Sequence, residues 1–123
     1  MSRNYEKLKA FEYADALVLE VYRLTDSFPK SEMFGLVSQL RSAAVSVPAA
    51  IVQGSTRHSD NEFIAYLKDA RGALAELGYY IKLSFKLEYV SREAFDAVSE
   101  KQDICMRTLH GLIKSFDAKK TFD

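Results

Sequence analysis

Between residues 63 and 84, Phe63, Leu67, Ala70, Leu74, Leu77, Ile81 and Ser84 follow one another at steps of four, three, four, three, four and three. At 100° per residue that spacing places all seven on one face of an α-helix, and on neither face of a strand consistently. The rhythm returns in three other stretches, and long runs of strict alternation are missing. The chain has 5 Gly and 2 Pro, with no stretch rich in both, so no linker divides it. These patterns predict an all-α chain: an antiparallel up-down four-helix bundle in one domain spanning residues 1–123.

The expected helices cover about 8–27, 32–57, 60–87 and 92–117. In the first, Phe11, Ala14, Val18, Val21 and Phe28 mark the apolar face, which Ala10, Leu17 and Leu24 widen. Pro29 ends it, because the residue before a proline is driven out of helical angles. Ser31 is the expected N-cap of the second helix, with Glu32 in its first turn. Leu36, Leu40, Ala43, Val47 and Ala50 form one face of that helix; Val45, Ala49 and Val52 lie roughly opposite. A helix apolar on both sides calls for cover on both sides, and a short bundle supplies only one. Pro48, inside this helix, removes a backbone donor and crowds Ala44, which predicts a kink.

Ser59 and Glu62 read as a capping box for the third helix. Its outer faces are sorted by sign. Lys68, Arg71, Lys82 and Lys86 fall within about 60° of one another, and Glu62, Asp69 and Glu76 gather elsewhere. Ala65, Gly72, Ala75 and Tyr79 lie between the two stripes. Gly72 costs about 1 kcal/mol relative to alanine inside a helix, a cost that close approach of another backbone would explain. Ser91 is the expected N-cap of the fourth helix. Phe95, Val98, Gln102, Cys105, Leu109, Leu112 and Phe116 repeat there at three and four, and fraying is expected from about Ala118.

Seventeen basic residues balance seventeen acidic ones. Neutrality removes the simple signature of a strongly basic nucleic-acid binder, though not a local patch. A single cysteine excludes an internal disulfide and any multi-cysteine metal site. The longest charge-free run, residues 42–56, is too short and too polar to span a membrane. No signal-peptide pattern opens the chain, so a soluble cytoplasmic protein with no membrane role is the expectation.

Few residues suggest chemistry. Cys105 sits on a core stripe, where a thiol behaves as a small hydrophobe. A di-iron bundle needs Glu-x-x-His on two helices. Ser55 precedes His58 by three positions and Arg107 precedes His110, so no metal is expected. Asp69 and Glu76 share a helical face, which reads as a solvated or salt-bridging stripe before it reads as an acid-base pair. No glycine falls in a phosphate-loop pattern, and no cofactor is expected. The basic stripe, joined by Arg41 and Arg57 from the second helix, is the candidate nucleic-acid surface. Val45, Ala49, Val52, Ala65, Gly72 and Ala75 are the candidate oligomer interface.

Several segments resemble the family of 23S ribosomal RNA intervening sequence proteins, also called S23-like, which are bacterial four-helix bundles. They are Thr25 to Pro29, Phe34-Gly35-Leu36, Gln39-Leu40-Arg41, Ala43 to Pro48, Gly54, Phe63, Leu67 and Ala70-x-Gly72-x-x-x-Glu76-Leu77. The resemblance covers essentially the whole chain and makes Pro48 a family feature. It implies a homopentamer around a central axis and an association with RNA: family genes lie within intervening sequences of ribosomal RNA genes. A similar accessory protein of diversity-generating retroelements is thought to bind nucleic acid and a reverse transcriptase. The chain departs from the family where Ser-Asn after the proline becomes Ala49-Ala50. The family's Ala-Glu-Gly becomes Val52-Gln53-Gly54, and the serine after the third-helix glycine becomes Ala73. Glu76 is retained.

Two functional readings follow. The first is a non-catalytic homo-oligomeric bundle that binds structured RNA, or a nucleic-acid-processing partner, through basic residues repeated by symmetry. The alternative is a protein-protein scaffold with no nucleic-acid role. An enzyme ranks below both, because no nucleophile, metal set or cofactor loop supports one.

Overall fold

The computed structural model describes the backbone of residues 3–122 and the side chains of residues 3–117. These residues form four α-helices and no strand: α1 Lys9–Thr25, α2 Leu36–Ser55, α3 Asp60–Lys86 and α4 Arg92–Phe122. Short 3₁₀ turns at Tyr5–Lys7 and Lys30–Glu32 precede α1 and α2. The helices pack as a bundle in which α2 lies against α1 and α3, and α4 against α3 and α1. Contacts between α3 and α4 run in opposite numerical order. Phe63 meets Phe116, Gln102 donates to the Leu74 carbonyl at 3.1 Å, and Phe85 stacks on Phe95 at 4.5 Å.

The expected stripes make most of the core; Ile51 and Ile113, outside those stripes, join it, and Leu112 and Phe116 are only half-buried. Leu17, Val21, Leu40, Val47, Ile51, Phe63, Leu67, Leu74, Leu77, Ile81, Leu109 and Ile113 are fully buried. Each such side chain stabilises the fold by about 1.5–3 kcal/mol through burial. Ser84, also buried, returns its hydroxyl to the Tyr80 carbonyl at 2.8 Å, so it fits the apolar stripe without an unpaired donor. Cys105 is wholly buried, and burial pushes its thiol up to about 11. Such a thiol stays protonated and unreactive at neutral pH.

The helix ends depart from expectation. α1 stops at Thr25 rather than 27, since Asp26 and Phe28 make tight i→i−3 bonds to Arg23 and Thr25 carbonyls (3.4 and 3.1 Å) before Pro29. Ser31 does not cap α2. It lies in the 3₁₀ turn, and α2 begins at Leu36 with Gly35 at the N-cap. Glu32 supplies the cap instead: its Oε1 accepts from the Leu36 amide at 3.4 Å, and its Oε2 accepts from the Tyr89 hydroxyl at 2.7 Å. That bond holds the Tyr89 phenol above its ordinary titration range. α2 ends at Ser55, not 57, and continues through Pro48. Ser59 and Ser91 cap as expected, accepting from the Glu62 and Ala94 amides. The Glu62 carboxylate, however, takes the Ser59 hydroxyl at 3.1 Å rather than the capping backbone amide. α4 runs on to Phe122, past the end expected at 117, through Ala118, Lys119 and Lys120, which favour helix.

The turn from α3 to α4 contains a feature that periodicity does not encode. Glu88 has φ 65°, the left-handed region. The Tyr89 amide returns to the Ser84 carbonyl and the Glu88 amide to Phe85, both at 3.0 Å. This is a Schellman ending with glutamate where glycine is usual. Glu88→Gly should therefore raise the unfolding free energy by about 1 kcal/mol. In thermal melts that is a rise of roughly 3–6 °C for a domain of this size. A lower melting temperature would mean that the Glu88 carboxylate contributes more than its backbone strain costs.

Candidate functional site

The six cations singled out from the sequence divide into two groups. Arg41 is half-buried and braces α2 against the end of α1. Its Nε donates to the Thr25 hydroxyl at 2.9 Å, its Nη2 to the Tyr22 carbonyl at 3.4 Å, and its guanidinium lies 4.4 Å from the Tyr22 ring. A cation suits the C-terminal end of α1, where carbonyls point outward unpaired. Arg57 lies over the Tyr66 ring at 4.9 Å and donates to its hydroxyl, joining α2 to α3. Both side chains are committed to holding helices together.

The α3 stripe is different. Lys68, Lys82 and Lys86 are exposed and Arg71 is half-exposed. None takes part in the ion pairs of the described residues, which join Arg3 to Asp60, Lys9 to Glu12, Arg23 and Lys101 to Glu20, Arg92 to Asp96, and Arg107 to Asp103. From Lys68 to Lys86 the row extends about 27 Å along the helix axis. Arg71 has one polar contact, to His110 on α4: Nη1 and Nδ1 are 3.5 Å apart. Sequence reasoning considered His110 only as a metal ligand. Its juxtaposition with Arg71 depends on how α3 and α4 pack, and no spacing along either helix encodes it.

The acidic stripe lies toward α2. Glu76 accepts from the Tyr80 hydroxyl at 3.1 Å, and that hydroxyl also reaches Gln39 Oε1 at 3.4 Å. The bond to Glu76, more than burial, holds the Tyr80 phenol above its usual range. Glu76 thus holds the Tyr80 hydroxyl beside Gln39 of α2. Asp69 is exposed and stays apart from this bond network. His58 is exposed in the α2–α3 junction. Among the described residues no three His, Cys, Asp or Glu side chains gather as a metal site.

The candidate interface residues fall on two flanks. Val45 is 41% exposed and borders a groove with Tyr22, Met33, Phe34 and Arg41 on the α1–α2 side; Phe34 there is 96% exposed. Ala49 is exposed and Val52 half-buried on the same helix. Ala65, Gly72 and Ala75 are exposed on α3, and Ala75 borders a second groove with Gly78, Tyr79, Lys82, Gln102 and Met106 on the α3–α4 side. A Cβ added at Gly72 would have no atom within 4 Å. Nothing among the described residues therefore requires glycine at that position.

The architecture and its surface define a class: a small all-helical bundle with a filled core and its charge sorted on one helix. More particularly, the chain belongs to the 23S rRNA-intervening sequence protein family, whose model matches residues 6–111. The fold is also that of a solved structure from Bacteroides thetaiotaomicron VPI-5482, a protein of unknown function from the S23 ribosomal protein family. The two share 20% identity over 85% of this chain and 95% of that one, with a TM-score of 0.79. No curated protein matches the chain. Among the described residues, no helix is long and apolar enough to cross a membrane.

Proposed function

We propose that this chain is a non-catalytic RNA-binding protein whose α3 stripe follows the phosphate backbone of a structured RNA. The supporting observation is that Lys68, Arg71, Lys82 and Lys86 form a row with no carboxylate partner among the described residues, whereas Arg3, Lys9, Arg23, Arg92, Lys101 and Arg107 each sit in an ion pair. An unpaired cation neutralises a phosphate and releases a counterion without first breaking an ion pair. Family membership agrees with this reading. Half-buried Arg41 and exposed Arg57 instead brace neighbouring helices through Tyr22, Thr25 and Tyr66. In a homo-oligomer, symmetry multiplies the row, and several weak contacts act as one strong one. The test is fluorescence anisotropy with a labelled RNA hairpin across a salt series. Four phosphate contacts predict a slope of log K against log salt of about −3. Absence of binding at low salt removes the proposal.

A second reading, assembly of copies through the apolar flanks, is favoured by the exposure of Phe34, Met33, Tyr22 and Val45 around one groove. Contiguous exposed apolar side chains of this kind mark interaction surfaces. Because the α1–α2 and α3–α4 flanks differ, a contact between them would be head-to-tail, the type of contact that a cyclic homopentamer, as implied by family resemblance, is built from. Val45→Asp is expected to lower the solution mass measured by light scattering to that of one chain, with an unchanged circular dichroism spectrum. A wild type that already runs as a monomer eliminates this reading.

A further inference from the structure

Arg71 and His110 meet across the α3–α4 seam with Nη1 and Nδ1 3.5 Å apart, and neither has a carboxylate partner among the described residues. Arginine is always charged, so this contact is favourable only while the imidazole is neutral and offers Nδ1 as an acceptor. Once the imidazole takes up a proton, two cations face each other. The arrangement then favours an anion with several acceptor oxygens, able to bond both at once.

The surroundings reinforce the positive charge. Lys68 lies three positions before Arg71 on α3, and Lys114 four positions after His110 on α4, each on the neighbouring turn of the same helical side. Both are exposed and make no ion pair among the described residues. The other charged groups near His110 on α4 are engaged: Arg107 is paired with Asp103 at 3.2 Å, and Asp117 has a partner. On α3, Asp69 belongs to the stripe that turns toward α2. α1 meets the opposite flank of α4, through Glu20 and Lys101 at 3.0 Å and the groove bordered by Tyr13 and Ile104. Its Lys9 and Glu12 pair with each other.

We infer that Arg71 and His110, flanked by Lys68 and Lys114, form a phosphate-binding site that strengthens as His110 gains its proton. For the source of the phosphate, an RNA backbone, the inference rests on the function proposed above; for its chemistry it does not. Histidine is the side chain whose charge changes between pH 5 and 8, so the site would make one contact of the basic surface pH-dependent.

Two arms separate the site from the RNA reading. In the first, the Hε1 resonances of His58 and His110 are followed by NMR from pH 5 to 8, in sulfate and in chloride at equal ionic strength. Sulfate is the probe because its charge is constant while phosphate titrates in the same window. Sulfate should raise the His110 midpoint by about 0.5 pH unit, equivalent to roughly threefold tighter binding to the protonated form. The His58 midpoint should not move, and Arg71→Gln should abolish the His110 shift. Equal midpoints for His110 in the two salts overturn the inference. In the second arm, the labelled RNA hairpin is titrated at pH 6 and pH 8 with wild type and His110→Gln. Tighter binding at pH 6 that disappears in the variant supports the site. RNA binding with the same pH dependence in both proteins overturns it, while leaving the RNA reading in place. A sulfate-dependent His110 shift with no RNA binding supports the site and removes the RNA reading.

Discussion

Gly54→Val is expected to cost about 3 kcal/mol of stability or more, above the usual range for an overpacked core. Gly54 lies in the last turn of α2, where the helix crosses α3. A Cβ there would sit 2.7 Å from Tyr66 Cβ and 3.0 Å from Phe63 Cδ1. Neither neighbour can yield cheaply. Tyr66 Cβ is attached directly to the α3 backbone, and the Phe63 ring is fully buried, packed on Phe116 at 5.6 Å and under the Arg3 guanidinium at 4.5 Å. Arg3 also donates its amide to the Ser55 carbonyl at 2.8 Å and pairs with Asp60, so the same junction anchors the N-terminal segment. Relief requires α2 and α3 to move apart. The gain in helix propensity on replacing glycine with alanine, about 1 kcal/mol, offsets only part of the overlap. Chemical denaturation should show Gly54→Ala intermediate and Gly54→Val near or beyond the folding limit. Gly72→Ala is the control: open space around its Cβ predicts a monomer at least as stable as wild type. A Gly54→Val protein of wild-type stability would show that α2 and α3 do not cross this closely.

Replacing Lys68, Arg71, Lys82 and Lys86 together with glutamine is expected to leave the fold intact and to remove most RNA affinity. Lys68, Lys82 and Lys86 are exposed, Arg71 is half-exposed, and glutamine is a good helix former, so each change costs within about 0.5 kcal/mol. For wild type, four phosphate contacts predict a 50- to 150-fold loss of affinity, in round terms about a hundredfold, between 50 and 200 mM salt. In the quadruple variant the slope should approach zero, with affinity at low salt down about a hundredfold or more. Each single replacement should reduce the slope by about one contact. Arg41→Gln should behave in the opposite way. It should lower the melting temperature, because Thr25 and Tyr22 lose their partner, while the salt slope is retained. A quadruple variant that binds as tightly as wild type would place the RNA surface elsewhere or nowhere.

The apolar rhythm of α3 maps directly onto the buried face, from Phe63 to Ser84, because helical spacing alone places those residues together. Ser59 and Ser91 were legible as caps for a similar reason: the cap and the amide it serves are three residues apart. Ser31 misled, because the partner that decides the start of α2 is Tyr89, distant in sequence and bonded to Glu32. Glu88 was illegible, since its left-handed conformation arises from the way α3 must end to let α4 return.

The candidate surface divides along the same line. That four cations share one side of α3 follows from their spacing, a property of a single helix. That Arg41 and Arg57 are occupied, that the α3 row has no carboxylate partner among the described residues, and that Arg71 faces His110 were decided by packing between helices. Spacing within a helix fixes which residues share a face, because the helix repeats regularly. Which charges on that face remain free depends on residues brought alongside from other helices, and only the tertiary structure decides that.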